Sequence, residues 1–405
     1  MNLLRFTTAG SVDDGKSTLT GRLLYDTDQI KSDVLKTLSD HEDNDRINLA
    51  HVTDGLRAER REGITIDVAY KYFATPRRKF ISVDAPGHFR FTRNMITGAS
   101  GVDAIIILVD ALNGITGQTR VHALVASFMR VKNVVVAINK MDLAGFGQDV
   151  FDRIRHEFTD MARHLSLEQI QFIPISALNG DNVSRRSGNM PWYQGDTLLH
   201  FLETCGTSAE NVTAHPVRFI VQYQHPSHSG YAGKLVSGRI KTGDTVLAYP
   251  SLQKVRVLEI IEGYNSIEEA SAGQNIHLLL EGSPGLKRGD LVSGTDHRPK
   301  FDHTLTANIC WIDADQALIT GKKYLFRMNS LEVSGCISEI RHKIRTSTYE
   351  TYQDDQPLNV NQFAVARIEA GARIPCDPFS SLRETGRGII IDPDTNNTSG
   401  AFTII

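Results

Sequence analysis

Up to about Thr204, short and nearly unbroken apolar runs alternate with longer stretches of helical periodicity. Residues 3–9, 79–84, 104–110, 133–139 and 171–176 are nearly continuous apolar runs, as strands of a parallel sheet covered on both faces require. Residues 16–24, 119–130 and 150–165 space their apolar side chains for one face of a helix. This alternation predicts an α/β domain with a parallel sheet between helices. After Thr204 the texture changes: Gly and Pro recur, and short strands are predicted at 217–223, 234–239, 245–249, 253–261 and 275–280. Turns at that spacing predict an antiparallel barrel or sandwich. A second β-rich stretch starts near Asp302, after the 289–294 segment, and continues without a helical pattern. The expected division is 1–208, 209–300 and 301–405. Within the first part, the polar segment 28–63 is too long for an ordinary connection and predicts a functional or mobile loop with a short helix.

Composition narrows the classes. The chain has 405 residues, with 44 Lys and Arg against 47 Asp and Glu. That balance argues against a bulk nucleic-acid binder, which needs a broad basic excess. The longest apolar runs are too short to span a bilayer. The N-terminus, Met1 to Phe6, shows no signal-peptide pattern. Cys205, Cys310, Cys336 and Cys376 are widely separated and form no CxxC. They predict reduced thiols in a cytoplasmic protein rather than a disulfide frame or zinc site.

The candidate chemistry starts at Gly10-Ser11-Val12-Asp13-Asp14-Gly15-Lys16-Ser17-Thr18, which fits GxxxxGK[ST] between a predicted strand and a predicted helix. The glycines let the backbone turn its N–H groups onto phosphate oxygens at a helix N-terminus. Lys16 supplies a point charge to the β- and γ-phosphates, and the Ser17 hydroxyl ligates Mg²⁺. Asn139-Lys140-Met141-Asp142 follows a buried strand. A carboxylate at Asp142 can accept both the N1–H and the 2-amino proton of guanine, which adenine does not present, so the base read is guanine. Asn139 braces the loops, the Lys140 stem covers the base, and Ser176-Ala177-Leu178 offers backbone to the 6-oxo group. Asp84-Ala85-Pro86-Gly87-His88 ends another strand. There Asp84 can hold Mg²⁺ through water, the Gly87 N–H can meet the γ-phosphate, and His88 is the candidate to orient the attacking water. Thr65 is the candidate second Mg²⁺ ligand, closing the polar loop over GTP and releasing it once the γ-phosphate is lost.

Together with Gly63-Ile64-Thr65-Ile66, these motifs resemble the translation-factor GTPases, relatives of elongation factors Tu and 1-alpha. Gly230-Tyr231-Ala232-Gly233, Ser237-Gly238-Arg239, Gly243-Asp244 and Lys287-Arg288-Gly289-Asp290 are similar to that group's second domain. The resemblance implies a P-loop GTPase domain followed by two antiparallel β-barrel domains, with His88 catalytic and Val12 and Ile64 as a hydrophobic gate beside it. Ser11 and Asp14 stand where elongation factor Tu has histidines. They, the run from Asp54 to Tyr70, Gly180-Asp181-Asn182-Val183 and Met190-Pro191-Trp192-Tyr193-Gln194-Gly195 are similar to the family of large, GTP-hydrolysing subunits of bacterial sulfate adenylyltransferase. Membership would imply GTP and Mg²⁺ as cofactors and a small catalytic ATP sulfurylase subunit as partner, in a heterodimer or higher assembly. GTP turnover would then drive that partner to make adenosine 5′-phosphosulfate and pyrophosphate from ATP and sulfate. The rival expectation is an elongation-factor-like carrier of aminoacyl-tRNA, and a third is a diverged paralogue serving another partner. Residues 222–229 align poorly with the family, and His225 and His228, with Pro226 between them, are not expected to reproduce the HxxH of single-chain ATP sulfurylases. Some relatives carry a fused adenylylsulfate kinase; with no second GxxxxGK[ST] in the sequence, that activity is not expected here.

Overall fold

The computed structural model describes residues 2–30, 49, 69–84, 92–207, 212–224 and 230–405. They form two compact units: Met1–Thr207 together with Thr346–Glu350, and Ser208–Arg345 together with Thr351–Ile405.

The first unit is a six-stranded sheet. Its strands are β1 (Leu3–Ala9), β2 (Ala69–Ala74), β3 (Lys79–Asp84), β4 (Ala104–Asp110), β5 (Asn133–Asn139) and β6 (Gln169–Pro174). The spatial order is β2-β3-β1-β4-β5-β6. All neighbours are parallel except the edge pair β2 and β3. Helices α1 (Lys16–Asp26), α2 (Thr92–Ala99), α3 (Gly117–Phe128), α4 (Gln148–Ala162) and α5 (Leu198–Thr204) complete it. Every residue of β4 and β5 is buried, as their unbroken apolar runs require. Four strands begin and end where the apolar pattern put them. The last starts two residues earlier than expected, because Gln169 pairs with Asn133 at the start of β5. Three elements gave no clear signal: β2, whose Tyr70 and Tyr72 are exposed, and the short helices α2 and α5.

One core gathers Leu4 and Phe6 of β1, Leu19 and Leu23 of α1, Ile106 and Leu108 of β4 and Val135 of β5. Phe73 stacks on Phe80 with ring centres 4.7 Å apart, and Phe6 meets both edge-on. These contacts seat α1 directly behind the strand that feeds it. Because β1, β3, β4 and β5 run parallel, their C-terminal ends share one edge of the sheet, and β1 lies where the strand order reverses. Crevices at such a switch point hold ligands in open α/β sheets.

The second unit carries two closed antiparallel barrels. In the first, β7 (Arg218–Gln224), β8 (Gly230–Ser237), β9 (Thr245–Tyr249), β10 (Gln253–Glu262), β11 (Asn275–Leu280) and β12 (Leu291–Gly294) run in the order β9-β12-β7-β8-β11-β10, and β10 pairs back on β9. In the second, β13 (Lys300–Trp311), β14 (Lys323–Met328), β15 (Leu331–Ile344), β16 (Phe363–Cys376), β17 (Arg387–Ile391) and β18 (Thr398–Ile404) run β14-β17-β18-β13-β16-β15, and β15 closes on β14. Closure distinguishes barrels from the sandwich the spacing also allowed, and it leaves six strands in each without a free edge. Each barrel has its own apolar core. A glycine is required at Gly233, because a Cβ there would lie 2.1 Å from the Ile220 carbonyl oxygen on the neighbouring strand. Arg218, which is 2% exposed, joins the barrels by a two-pronged pair with Asp377 at 2.9 and 2.8 Å. Among the described residues, no helix is long and apolar enough to cross a membrane.

Candidate functional site

The edge of the sheet defined by the parallel strands brings together Gly10 after β1, Asp84 ending β3, Asp110 ending β4, Asn139 ending β5 and Ser176 just beyond β6. The phosphate loop turns from β1 into α1 through two left-handed residues, Asp13 at φ 68° and Gly15 at φ 95°. At Gly15 a side chain is excluded, since its Cβ would fall 2.4 Å from Asn139 Nδ2. The Asp14 carboxylate turns back to accept the Ser11 N–H and so closes the loop on itself. Lys16 is 7% exposed and donates to the Gly10 and Ser11 carbonyls at 3.1 and 2.8 Å. Those carbonyls hold the ammonium inside the loop, where a phosphate would meet it.

Burial dominates the electrostatics of the loop. Burial pulls the Lys16 ammonium below the usual lysine range, and the Asp84, Asp14 and Asp13 carboxylates oppose that shift. Burial raises Asp14 above the usual carboxylate range, against the Ser11 N–H and the Lys16 charge. Asp84 is 3% exposed and accepts from Thr8 Oγ1 at 3.2 Å. Ser17 and Thr18, at the first turn of α1, are half-buried, whereas Val12 is exposed. Among the described residues, no cluster of three His, Cys, Asp or Glu side chains could hold a metal by itself. One hydroxyl from Ser17 and one carboxylate from Asp84 are nevertheless a donor set that suits Mg²⁺. This ion takes hard oxygen ligands, keeps waters and leans on substrate phosphates.

The base-reading strings converge on the same edge. Asn139 is buried and makes two bonds: its Nδ2 donates to the Asp14 carbonyl at 2.7 Å and its Oδ1 accepts the Ala177 N–H at 2.9 Å. One side chain thus ties the phosphate loop to the 176–178 loop. Lys140 adopts φ 62°, and its ammonium pairs with Asp110 at 2.8 Å. The following turn is closed by Leu143 N–H to Lys140 O and Phe146 N–H to Met141 O, with Met141 buried. It leaves the Asp142 carboxylate half-buried and, among the described residues, without a donor. Ser176 is buried and accepts the Asn179 N–H at 3.2 Å, while Leu178 is exposed. Ala85, Pro86, Gly87, His88, Thr65 and Ile64 lie outside the described residues, as does most of the long polar segment.

Three contributors escaped the sequence reading. Thr116 Oγ1 caps α3 by accepting the Thr119 N–H and also bonds Ser11 Oγ at 3.0 Å, tying the phosphate loop to that helix. Its signal was the Thr116-x-x-Thr119 capping pair. Asp110 anchors Lys140, and a carboxylate ending a buried strand could have marked it. Arg22 reaches the 176–178 loop, and no local pattern announces that contact.

Residues 1–236 match the model of the elongation factor Tu GTP binding domain, and residues 304–405 match that of the GTP-eEF1A C-terminal domain-like family. The chain is 41% identical over its whole length to sulfate adenylyltransferase subunit 1 of Aeromonas salmonicida, covering 87% of that protein. It is 42% identical over its whole length to the protein of the same name from Shewanella oneidensis, covering 85% of it. Against the bifunctional enzyme CysN/CysC of Mycobacterium tuberculosis it is 39% identical, spanning all of this chain and 67% of that one.

Proposed function

From a chain that belongs to the sulfate adenylyltransferase subunit 1 family, among the GTPases with an elongation factor Tu-type GTP binding domain, we propose a working cycle in which GTP hydrolysis drives a partner subunit. The partner is the small catalytic ATP sulfurylase subunit, in a heterodimer or higher assembly in the cytoplasm. The product is adenosine 5′-phosphosulfate. A mixed anhydride of sulfate and AMP lies strongly uphill from ATP and sulfate, so a second hydrolysis supplies the missing driving force. The observation that carries the nucleotide assignment is the pair of hydrogen bonds made by Asn139, which sets a phosphate loop and a base loop on one rigid support.

In this reading the triphosphate draws the Lys16 ammonium from its two carbonyl partners, and the loop N–H groups donate to the phosphate oxygens. Residues 10–18 form the phosphate side, 84–88 the γ-phosphate side, and 139–142 with 176–178 the base side. Asp142 accepts the two guanine donors. Ser17, Asp84 and Thr65 would hold Mg²⁺, which when bound neutralises charge on the β- and γ-oxygens. His88 orients the attacking water, and Val12 with Ile64 gates its approach. The three-part division at 208 and 300 assigns hydrolysis to the first part and partner contacts to the switch loops and the barrels. The rival reading, aminoacyl-tRNA delivery, is disfavoured by full-length identity above 40% to sulfate adenylyltransferase subunits.

The decisive assay combines the chain with its small subunit and follows adenosine 5′-phosphosulfate formation with and without GTP. GTP-dependent synthesis is expected. Tight aminoacyl-tRNA binding without sulfate product would overturn the reading. His88→Ala is expected to leave GTP binding nearly intact while slowing hydrolysis; equal losses of both would remove its water-orienting role.

A further inference from the structure

Arg22 stands on α1, about 1.7 turns beyond Lys16, and its side chain leaves the helix to hold the back of the base loop. Its Nε donates to the Ala177 carbonyl at 3.2 Å and its Nη2 to the Leu178 carbonyl. The guanidinium is itself held in place: Nη1 meets Asp26 Oδ1 at 3.4 Å, Asp26 Oδ2 accepts the Ser184 hydroxyl at 2.5 Å, and the Tyr25 ring centre lies 5.4 Å from the guanidinium carbon. Ala177 itself is buried in the apolar core, while Leu178 is exposed. A polar cavity of about 550 Å³ opens alongside, lined by Arg22, Tyr25, Asp26, Asn179, Gly180 and Ser184 among others. Arg22 therefore holds the exposed end of the loop, at the Leu178 carbonyl, beside an open polar cavity.

The peptide unit is planar, with its C=O and the following N–H pointing in opposite directions. Fixing the Ala177 carbonyl therefore fixes the Leu178 N–H, and fixing the Leu178 carbonyl fixes the Asn179 N–H. The Ala177 N–H is committed to Asn139 Oδ1 at 2.9 Å and the Asn179 N–H to Ser176 Oγ at 3.2 Å. Among the described residues the Leu178 N–H meets no acceptor. It is the donor that this loop keeps for a ligand carbonyl. We propose that Arg22 is a positioning residue for the 6-oxo group of the purine, acting by aiming the Leu178 N–H. The inference rests on the guanine reading of the site and adds the residue that sets one half of the base discrimination. The other half, the 2-amino and N1 contacts at Asp142, belongs to the 139–146 turn, to which Arg22 makes no hydrogen bond among the described residues.

The test separates the two halves by comparing, between wild type and variant, the preference for GDP over two nucleotides with altered bases. Dissociation constants of the full chain are measured for GDP, for inosine diphosphate, which lacks the 2-amino group, and for the diphosphate of 2-aminopurine riboside, which lacks the 6-oxo group and with it the N1–H; the N1–H loss is common to wild type and Arg22 variant and cancels between them. Arg22→Met is expected to shrink the preference for GDP over the 2-aminopurine nucleotide by roughly tenfold, the worth of one well-aimed hydrogen bond. The preference over inosine diphosphate should stay within about twofold. Arg22→Lys, with a point charge able to reach one carbonyl, should fall between. An equal drop in both preferences would reduce Arg22 to a general prop of the fold and overturn the proposal, as would no change in either. Asp142→Asn provides the control: it should transfer preference to xanthosine diphosphate. Failure of that transfer removes the guanine reading, and the proposal with it. A normal transfer with unmoved Arg22 preferences sinks the proposal alone.

Discussion

Lowering the pH from 7 to 5 should destabilise the first unit through one residue, His122. This side chain lies in α3 at 1% exposure. Gln118 Nε2 sits 3.0 Å from His122 Nε2. An amide NH₂ only donates, so Nε2 accepts and the neutral ring carries its proton on Nδ1. That Nδ1 is buried and has no hydrogen-bond partner among the described residues. Burial first, and the Lys16 ammonium second, hold the imidazole pKa down to about 3. In the unfolded chain it returns to ~6.5. Because the folded value is the lower one, the unfolded state takes up the proton first. The stabilising contribution is thus complete above the unfolded pKa and is lost as pH falls toward the folded one. Its loss follows RT ln(1 + 10^(6.5 − pH)), which is ~0.2 kcal/mol at pH 7 and ~2 kcal/mol at pH 5. Urea unfolding of the wild type and of His122→Gln at both pH values isolates this residue, because the other histidines cancel in the double difference. The wild type should lose about 2 kcal/mol more than the variant. Parallel pH dependences in the two proteins, or a ring titration of His122 centred near the ordinary value, would refute the reasoning. The same physics matters for function: a neutral His122 adds no positive charge behind Lys16, so the loop's attraction for phosphate stays with the lysine.

Asn139→Ala orphans the Asp14 carbonyl and the Ala177 N–H, each worth about 1–3 kcal/mol when buried and unpaired, so GDP affinity should fall by at least about 30-fold in a fluorescent-nucleotide titration. A change below about threefold would show that other contacts align the two loops. Arg218→Met leaves the largely buried Asp377 carboxylate, among the described residues, with the Thr385 hydroxyl at 2.7 Å as its remaining donor, and should cost about 3 kcal/mol in unfolding of the second unit. Arg218→Met with Asp377→Leu should recover much of that loss, and an equal cost for single and double variants would contradict the charge-burial argument. Burial pushes the thiols of Cys205 and Cys376 up to about 11 and about 12, and that of Cys310 higher still. Half-buried Cys336 should therefore be the first cysteine labelled in the native protein at pH 8, and rapid labelling of Cys310 would contradict the burial shown.

Much of the architecture could be read from the chain, for a physical reason that differs between its parts. In the first unit β4 and β5 declare themselves because strands covered on both faces must be apolar at consecutive positions, from Ala104 to Val109 and from Val134 to Ile138. The edge strand β2 is covered on one side only, so Tyr70 and Tyr72 interrupt its pattern and it went unnoticed. The short helices α2 and α5 have too few turns to establish a period. In the second unit the turns and alternation announced strands but left barrel and sandwich equal. The choice lies in pairings between strands far apart in the chain, β9 with β10 and β14 with β15, which close the two rings.

The site divides along the same line. Gly10 to Thr18, Asp84 and Asn139 to Asp142 are recognisable because each is a local string whose chemistry needs those residue types at fixed spacing. Helix-starting glycines, a lysine at the first turn and a carboxylate at a strand end are demands made by neighbours in sequence. What no string contains is the support between strings: Asn139 holding Asp14 and Ala177, Thr116 holding Ser11, Asp110 holding Lys140 and Arg22 holding the Ala177 and Leu178 carbonyls. The partners in the last case are 155 and 156 positions apart. Their meeting depends on the parallel register of β1, β4 and β5 and on the tilt at which α1 packs against the sheet. The sequence by itself therefore determined which nucleotide chemistry this chain can carry, because that chemistry is written in short-range geometry. Only the tertiary structure decided how firmly each reading element is held and by which distant side chain, because those contacts exist once the sheet has set its order and not before.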